Sequence, residues 1–233
     1  MKLTKETEEV MFKDINNLLS PKPLALEAGI KRLENGMLHV AMRNVLQNCN
    51  GKMLDWWFKY FETTEDLKLW HPHDHVEHGG WDHQWIKHEN YIGATIHATE
   101  SLGDIPPVAA TIKFHDPAEI FTPDALKNAY THGEVSAVVY ARIGFGDHTP
   151  VDTNGDPLDG YMFHVARDTA QGCTLRSHFF LGALSAETES PLSDEIGFGL
   201  MEHCYSEFTY LSKVLPSLYY AKNKAGDKAP VLW

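Results

Sequence analysis

Residues 193–220 read SDEIGFGLMEHCYSEFTYLSKVLPSLYY, and this stretch decides the fold. Leu200, Leu211 and Val214 fall on one helical face. Ser193 suits an N-cap, and Asp194 and Glu195 sit in the first turn, where the helix dipole favours acids. Pro216 is placed to kink or end the helix. The reading is one long amphipathic helix from Ser193 to about Tyr220. Strand-like segments come before it, at 91–100, 108–115, 134–143, 160–168 and 173–181, the last two separated by a turn at Gly172. Strands joined by short turns pair antiparallel. A helix laid across such a sheet gives an α+β arrangement, and a curved sheet leaves a cavity beneath the helix.

The segments further upstream complete the pattern. Val10, Met11, Ile15, Leu18 and Leu19 predict a helix over 4–19, stopped by Pro21 and Pro23. A hairpin is expected over 29–46, turning at Asn35-Gly36. Asn50-Gly51 opens a short helical piece through Trp56, Trp57 and Phe61. The histidine-rich stretch 70–90 reads as a loop, 117–130 as a helix with Pro117 in its first turn, and 146–160 as a loop. The expected organisation is a helical extension over 1–24 and a single domain over 25–233.

Composition narrows the function. Of the 233 residues, 43% are hydrophobic and 22% charged, enough to build a core. A formal charge of -12 lacks the basic footprint that nucleic acid or an anionic membrane requires, so neither is expected as a partner. There is no run of 18 apolar residues, and the opening Met1-Lys2-Leu3-Thr4-Lys5-Glu6 has no apolar stretch, so the expected location is cytoplasmic. Cys49, Cys173 and Cys204 are odd in number and form no Cys-x-x-Cys pair, which excludes a disulfide framework and a thiolate zinc knuckle. The 14 histidines mean that any metal site would use imidazole and carboxylate. A homo-oligomer is compatible with the chain, and nothing in the sequence sets its number.

Three patterns could carry such chemistry. His203 and Glu207 lie four apart in the long helix, on the face of its apolar residues. A buried acid and imidazole need a reason, and a divalent cation is one; a plain His–Glu pair on a half-exposed stripe is the alternative. The segment Trp70-His71-Pro72-His73-Asp74-His75 packs three imidazoles and a carboxylate into five residues; an extended chain puts His71, His73 and His75 on one side, and a solvated polar loop is the alternative. In Ile96-His97-Ala98-Thr99-Glu100, alternation puts Ile96, Ala98 and Glu100 on one face, so Glu100 is either inward or a solvated strand end. A set of two His and two Glu suits Zn²⁺ first, with Mn²⁺ or Fe²⁺ as competitors.

Taken together, Met53-Leu54-Asp55-Trp56-Trp57-Phe58, Leu67-Lys68-Leu69-Trp70-His71-Pro72-His73-Asp74-His75, the strand from Tyr91 to Glu100, and His203-x-x-x-Glu207 resemble the 2,4-diacetylphloroglucinol hydrolase and phloretin hydrolase family, over roughly residues 25–215. The resemblance implies a helix-grip fold of the Bet v1/START type. It also implies zinc-dependent hydrolysis of the carbon–carbon bond between an acyl group and a phenolic ring, with a small aromatic acyl-phenol as substrate. It assigns the metal to His71, Glu100, His203 and Glu207, with His73 and His75 as neighbouring candidates for the first of these. It suggests Asp74, His75, His148 and Tyr161 as substrate contacts, and Glu100, Glu207 and His148 as proton-moving groups. Other readings of the same chain are a non-catalytic binder of hydrophobic ligands, and a related metal-dependent hydrolase acting on another β-diketone.

Overall fold

The computed structural model describes residues 11–184 and 191–223. Its strands are β1 (Gly29–Arg32), β2 (Leu38–Gln47), β3 (His75–Trp81), β4 (Thr95–Leu102), β5 (Ile105–His115), β6 (Ala137–Phe145), β7 (Gly160–Thr169) and β8 (Gly172–Leu181). The α-helices are α1 (Gly51–Phe58), α2 (Thr64–Trp70), α3 (Pro123–Thr131) and α4 (Asp194–Lys222). The strands form an eight-stranded sheet in the order β1-β2-β8-β7-β6-β5-β4-β3, antiparallel throughout. β3 to β8 follow one another as a meander. β2 instead pairs with β8, from Leu38↔Leu181 to Gln47↔Gly172, which joins the first hairpin to the last strand.

α4 packs against β1 and β2 near one edge and against β4 near the other. A helix can touch both only if the sheet curls around it, and this is the expected helix-grip arrangement. Two glycines allow the close approach. A Cβ on Gly197 would lie 2.7 Å from Leu38 Cδ2, and one on Gly199 would lie 2.4 Å from the Leu102 carbonyl oxygen. Ser193 caps α4 as expected, accepting from the Glu195 N–H. Pro216 does not end the helix. It has no N–H for the Ser212 carbonyl, and Cys49 Sγ donates there instead, at 3.7 Å.

The sheet is covered on both faces, so β7 shows seven consecutive buried residues and little alternation. On the concave side, Ile96, Phe114, Ile143, Met162 and Phe179 form a core with α1, α2 and α4. On the convex side, Tyr140, Tyr161, Phe163 and Phe180 pack under Phe12, Ile15, Leu18 and Leu19 and the segment before α3. Arg176 pins this cover, donating to Glu27 and to the Lys22 carbonyl at 2.7 Å each.

Several expectations change in detail. Of the helix expected over 4–19, residues 4–10 lie outside the described residues, and the rest contains a 3-10 turn at Ile15–Leu19. The stretch expected as a loop over 70–90 contains strand β3. The approach to Trp70 is helix α2, closed by a capping box in which Thr63 accepts from the Asp66 N–H and Asp66 accepts from the Thr63 N–H. The 117–130 helix is split into a 3-10 turn at Pro117–Glu119 and α3, each with a proline in its first turn.

Candidate metal centre

α2 ends at Trp70, and the chain turns through residues 71–74 into β3. His71 organises this turn: its Nδ1 accepts the backbone N–H of Asp74 at 2.9 Å and of His73 at 3.3 Å. His75 then opens β3 and pairs across the ladder with Glu100 of β4. The middle of α4 brings His203 and Glu207 to the same point.

Four side-chain atoms converge there. His75 Nε2 is 3.5 Å from Glu100 Oε2 and 3.8 Å from Glu207 Oε2. His203 Nε2 is 3.8 Å from each of the same two oxygens. Four donors at zinc's usual bond lengths of about 2.0–2.1 Å stand roughly 3.4 Å apart in a tetrahedron, and these four His–Glu edges are a little longer than that. His75, His203 and Glu207 also satisfy a ligand-group geometry in which all donor atoms lie within 4.8 Å of one another.

The protons are arranged to suit. His75 Nδ1 is 2.9 Å from the Leu67 carbonyl, which can only accept, so the proton sits on Nδ1 and the Nε2 lone pair faces the cluster. His203 Nδ1 donates to Asp74 Oδ2 at 3.1 Å, with the same result. His71 is the opposite tautomer. Its Nδ1 is already an acceptor, so the proton is on Nε2, which donates to Ser206 Oγ at 2.7 Å.

Electrostatics point the same way. Burial pushes the Glu207 carboxyl up to about 8; the Glu100 and Asp74 charges add to this and His203 opposes it. Burial likewise raises Glu100. Burial lowers His75 to about 3 and His71 to about 4. His203 rises to about 9: burial acts downward, but the Asp74 hydrogen bond and the Glu207 and Glu100 charges together outweigh it. A divalent cation here would displace the protons that burial holds on Glu100 and Glu207 and the one that the neighbouring acids hold on His203. The donor set of two nitrogens and two oxygens fits zinc, and Mn²⁺ or Fe²⁺ in second place.

The cluster forms one wall of a partly enclosed cavity of about 60 Å³ beneath α4. The other walls are mainly carbon: aromatic rings from α1 and α2, Ile112 and Phe114 of β5, Ile143 and Phe145 of β6, and Phe179 of β8. Trp70 is buried there, and its indole N–H has no hydrogen-bond partner among the described residues.

The structure brings Glu100, His203 and Glu207 together, as expected. His75 lies at the corner expected for His71. His71 has its Nδ1 in the turn and its Nε2 proton on Ser206, and it belongs with Asp74 and His203 to a second group whose possible donor atoms lie within 4.8 Å of one another. Asp74 faces His203 and does not line the cavity. His148 is exposed in the loop after β6 and does not reach the cavity. Tyr161 points to the convex face, since alternation along β7 sends Met162 and His164 inward; its ring packs on Phe12 at 4.8 Å and under the Arg142 guanidinium at 4.1 Å. Beside His75 and His203 the cavity contains a third imidazole, His164, buried and overlooked in the sequence. Its Nδ1 is 2.8 Å from Ser177 Oγ, and burial lowers it to about 3. Alternation from Met162 could have found it.

No helix among the described residues is long and apolar enough to cross a membrane. No curated protein matches the chain. Solved structures similar to it include protein Ms6760 from Mycobacterium smegmatis, 13% identical over 81% of this chain and 96% of that one, with a TM-score of 0.43. Another is protein NE0264 from Nitrosomonas europaea, 11% identical over 83% of this chain and 100% of that one, with a TM-score of 0.43. A family model described as the DAPG hydrolase PhiG domain matches residues 10–220, which includes every element from the convex cover to α4. The chain belongs to that family, whose members are hydrolases acting on acylphloroglucinol-type compounds.

Proposed function

We propose that this chain uses a divalent metal, zinc first, to hydrolyse the carbon–carbon bond between an acyl group and a phenolic ring. The observation that carries the reading is the convergence of His75, Glu100, His203 and Glu207 on the wall of a cavity that is otherwise lined by carbon apart from His164. The metal, when bound, supplies a Lewis acid for the acyl carbonyl and activates water at neutral pH.

The protein's own groups do the rest. Aromatic walls hold a flat ring and exclude bulk water, which strengthens every charge interaction inside. Water adds its oxygen to the acyl carbon, and the bond to the ring carbon breaks. The ring carbon leaves as an enolate and takes up a proton, giving a carboxylic acid and a deacylated phenol. Glu100 and Glu207 are the carboxylates within reach of that proton. His164, its Nδ1 turned to Ser177, has Nε2 left to hold a ring oxygen. It takes over the part first expected of His148 and Tyr161.

The test is metal analysis combined with turnover. Purified protein should carry one divalent ion per chain and release acid from an acylphloroglucinol. His203→Ala and Glu207→Ala should lose both properties together. Full turnover in metal-free protein would reject the proposal. Aliphatic β-diketones in the same substrate panel separate this chemistry from the related diketone hydrolysis.

A further inference from the structure

We propose that Asp74 is a positioning residue of the metal centre, braced by His71 and Ser206, and not a substrate contact. The inference rests on the metal reading above and adds the device that orients its ligands.

Asp74 Oδ2 is 3.1 Å from His203 Nδ1 and 3.3 Å from His71 Nε2. Its backbone is fixed as well. The Asp74 N–H donates to His71 Nδ1 at 2.9 Å, and the Asp74 carbonyl accepts the Ser101 N–H at 2.9 Å. His71 is tied in turn to the helix: its Nε2 donates to Ser206 Oγ at 2.7 Å, and Ser206 gives its own proton to the Glu202 carbonyl at 2.8 Å. Ser206 lies on α4 between His203 and Glu207. One short network therefore joins the turn that carries His75, the end of β4 that carries Glu100, and the helix that carries the other two ligands.

The network does two things. It holds the Nδ1 proton of His203, so that Nε2 keeps its lone pair toward the cluster. It also fixes the spacing between the 71–75 turn and α4. Outer acceptors of this kind raise the basicity of a ligating imidazole and lock its ring. Neither Asp74 nor His71 lines the cavity, while all four converging residues do. This explains why a buried histidine beside the centre is not itself a donor to it.

The experiment is zinc competition against a calibrated chelator, with ion stoichiometry and melting temperature measured on the same samples. Asp74→Ala should weaken zinc about 10–100-fold while still folding. Asp74→Asn, which keeps an acceptor oxygen, should fall between it and the wild type. It serves as the main variant if Asp74→Ala does not fold. In zinc-loaded wild type, the His203 Nδ1 proton should give a downfield resonance that is lost in Asp74→Ala. His71→Ala should still bind one ion, with a smaller loss, and the double variant should be no weaker than Asp74→Ala alone. Unchanged affinity in Asp74→Ala, loss of the ion in His71→Ala, or additive losses in the double variant would overturn the inference and leave the proposed function standing. A wild-type chain that takes up no divalent ion would overturn both.

Discussion

His75 and Glu100 are the first pair of the β3–β4 ladder, and their side chains meet across it, Nε2 to Oε2, at 3.5 Å. Half of the proposed centre is thus built on paired backbone. The other half, His203 and Glu207, is built on one turn of α4. Neither half sits on a free loop, and rigid elements are what a ligand set needs to hold its geometry.

The first consequence concerns which early histidine matters. His75→Ala should lower zinc affinity by more than ~100-fold, beyond the loss of an outer-shell partner, while His71→Ala should retain a full equivalent of ion. Metal content after dialysis decides between them. Chelation of the wild type should lower its melting temperature, because a ligand that binds only the folded state stabilises it.

His164 should matter for turnover and not for the ion. His164→Ala is expected to reduce kcat for acyl-phenol cleavage by about 10²-fold or more at unchanged metal stoichiometry. A variant with wild-type kcat would remove His164 from the reaction.

Gly199 gives a stability prediction with an inverted sign. Glycine to alanine inside a helix ordinarily stabilises by about 1 kcal/mol. Here the new Cβ would meet the Leu102 carbonyl oxygen at 2.4 Å, so Gly199→Ala should destabilise by about 1–3 kcal/mol in urea denaturation. A more stable variant would mean that α4 does not approach the β4–β5 turn so closely.

Acid should weaken the fold through histidines remote from the centre. His39 Nε2 and His178 Nδ1 are 2.9 Å apart, and burial lowers the two rings to about 4 and about 3. Because the folded values lie below the unfolded value of about 6.5, the unfolded chain binds more protons in between. Their contribution is complete above pH 6.5 and is lost as pH falls through about 4 toward about 3. His178→Asn should flatten the fall in denaturation free energy over that window. An unchanged slope would show that the pair does not set it.

The sequence carried most of this architecture because its signals were local. The Asn35-Gly36 turn, the alternation in β4 that put Glu100 on one face with Ile96 and Ala98, and the Ser193 cap each depend on a few neighbouring residues. The four-residue spacing of His203 and Glu207 fixed their shared face for the same reason. The choice between His71 and His75 was not local. It depends on which ring nitrogen carries the proton, and Leu67, Ser206 and the backbone of Asp74 decide that. β3 was hidden by bulges between His75 and Glu77 and between His78 and Gly80, which break the alternation a strand normally shows. Tyr161 was misplaced and His164 missed because both faces of β7 are covered, which removes the polar–apolar contrast that tells inside from outside.

The pairing of β2 with β8 sets a timetable for synthesis. At the usual rate of translation, on the order of ten seconds separate the emergence of residues 38–47 from that of residues 172–181. Until then the early hairpin has one ladder unfilled, and only the completed meander can fill it. A newborn chain therefore carries one unpaired strand edge through that interval, the kind of edge that pairs with other chains if left open.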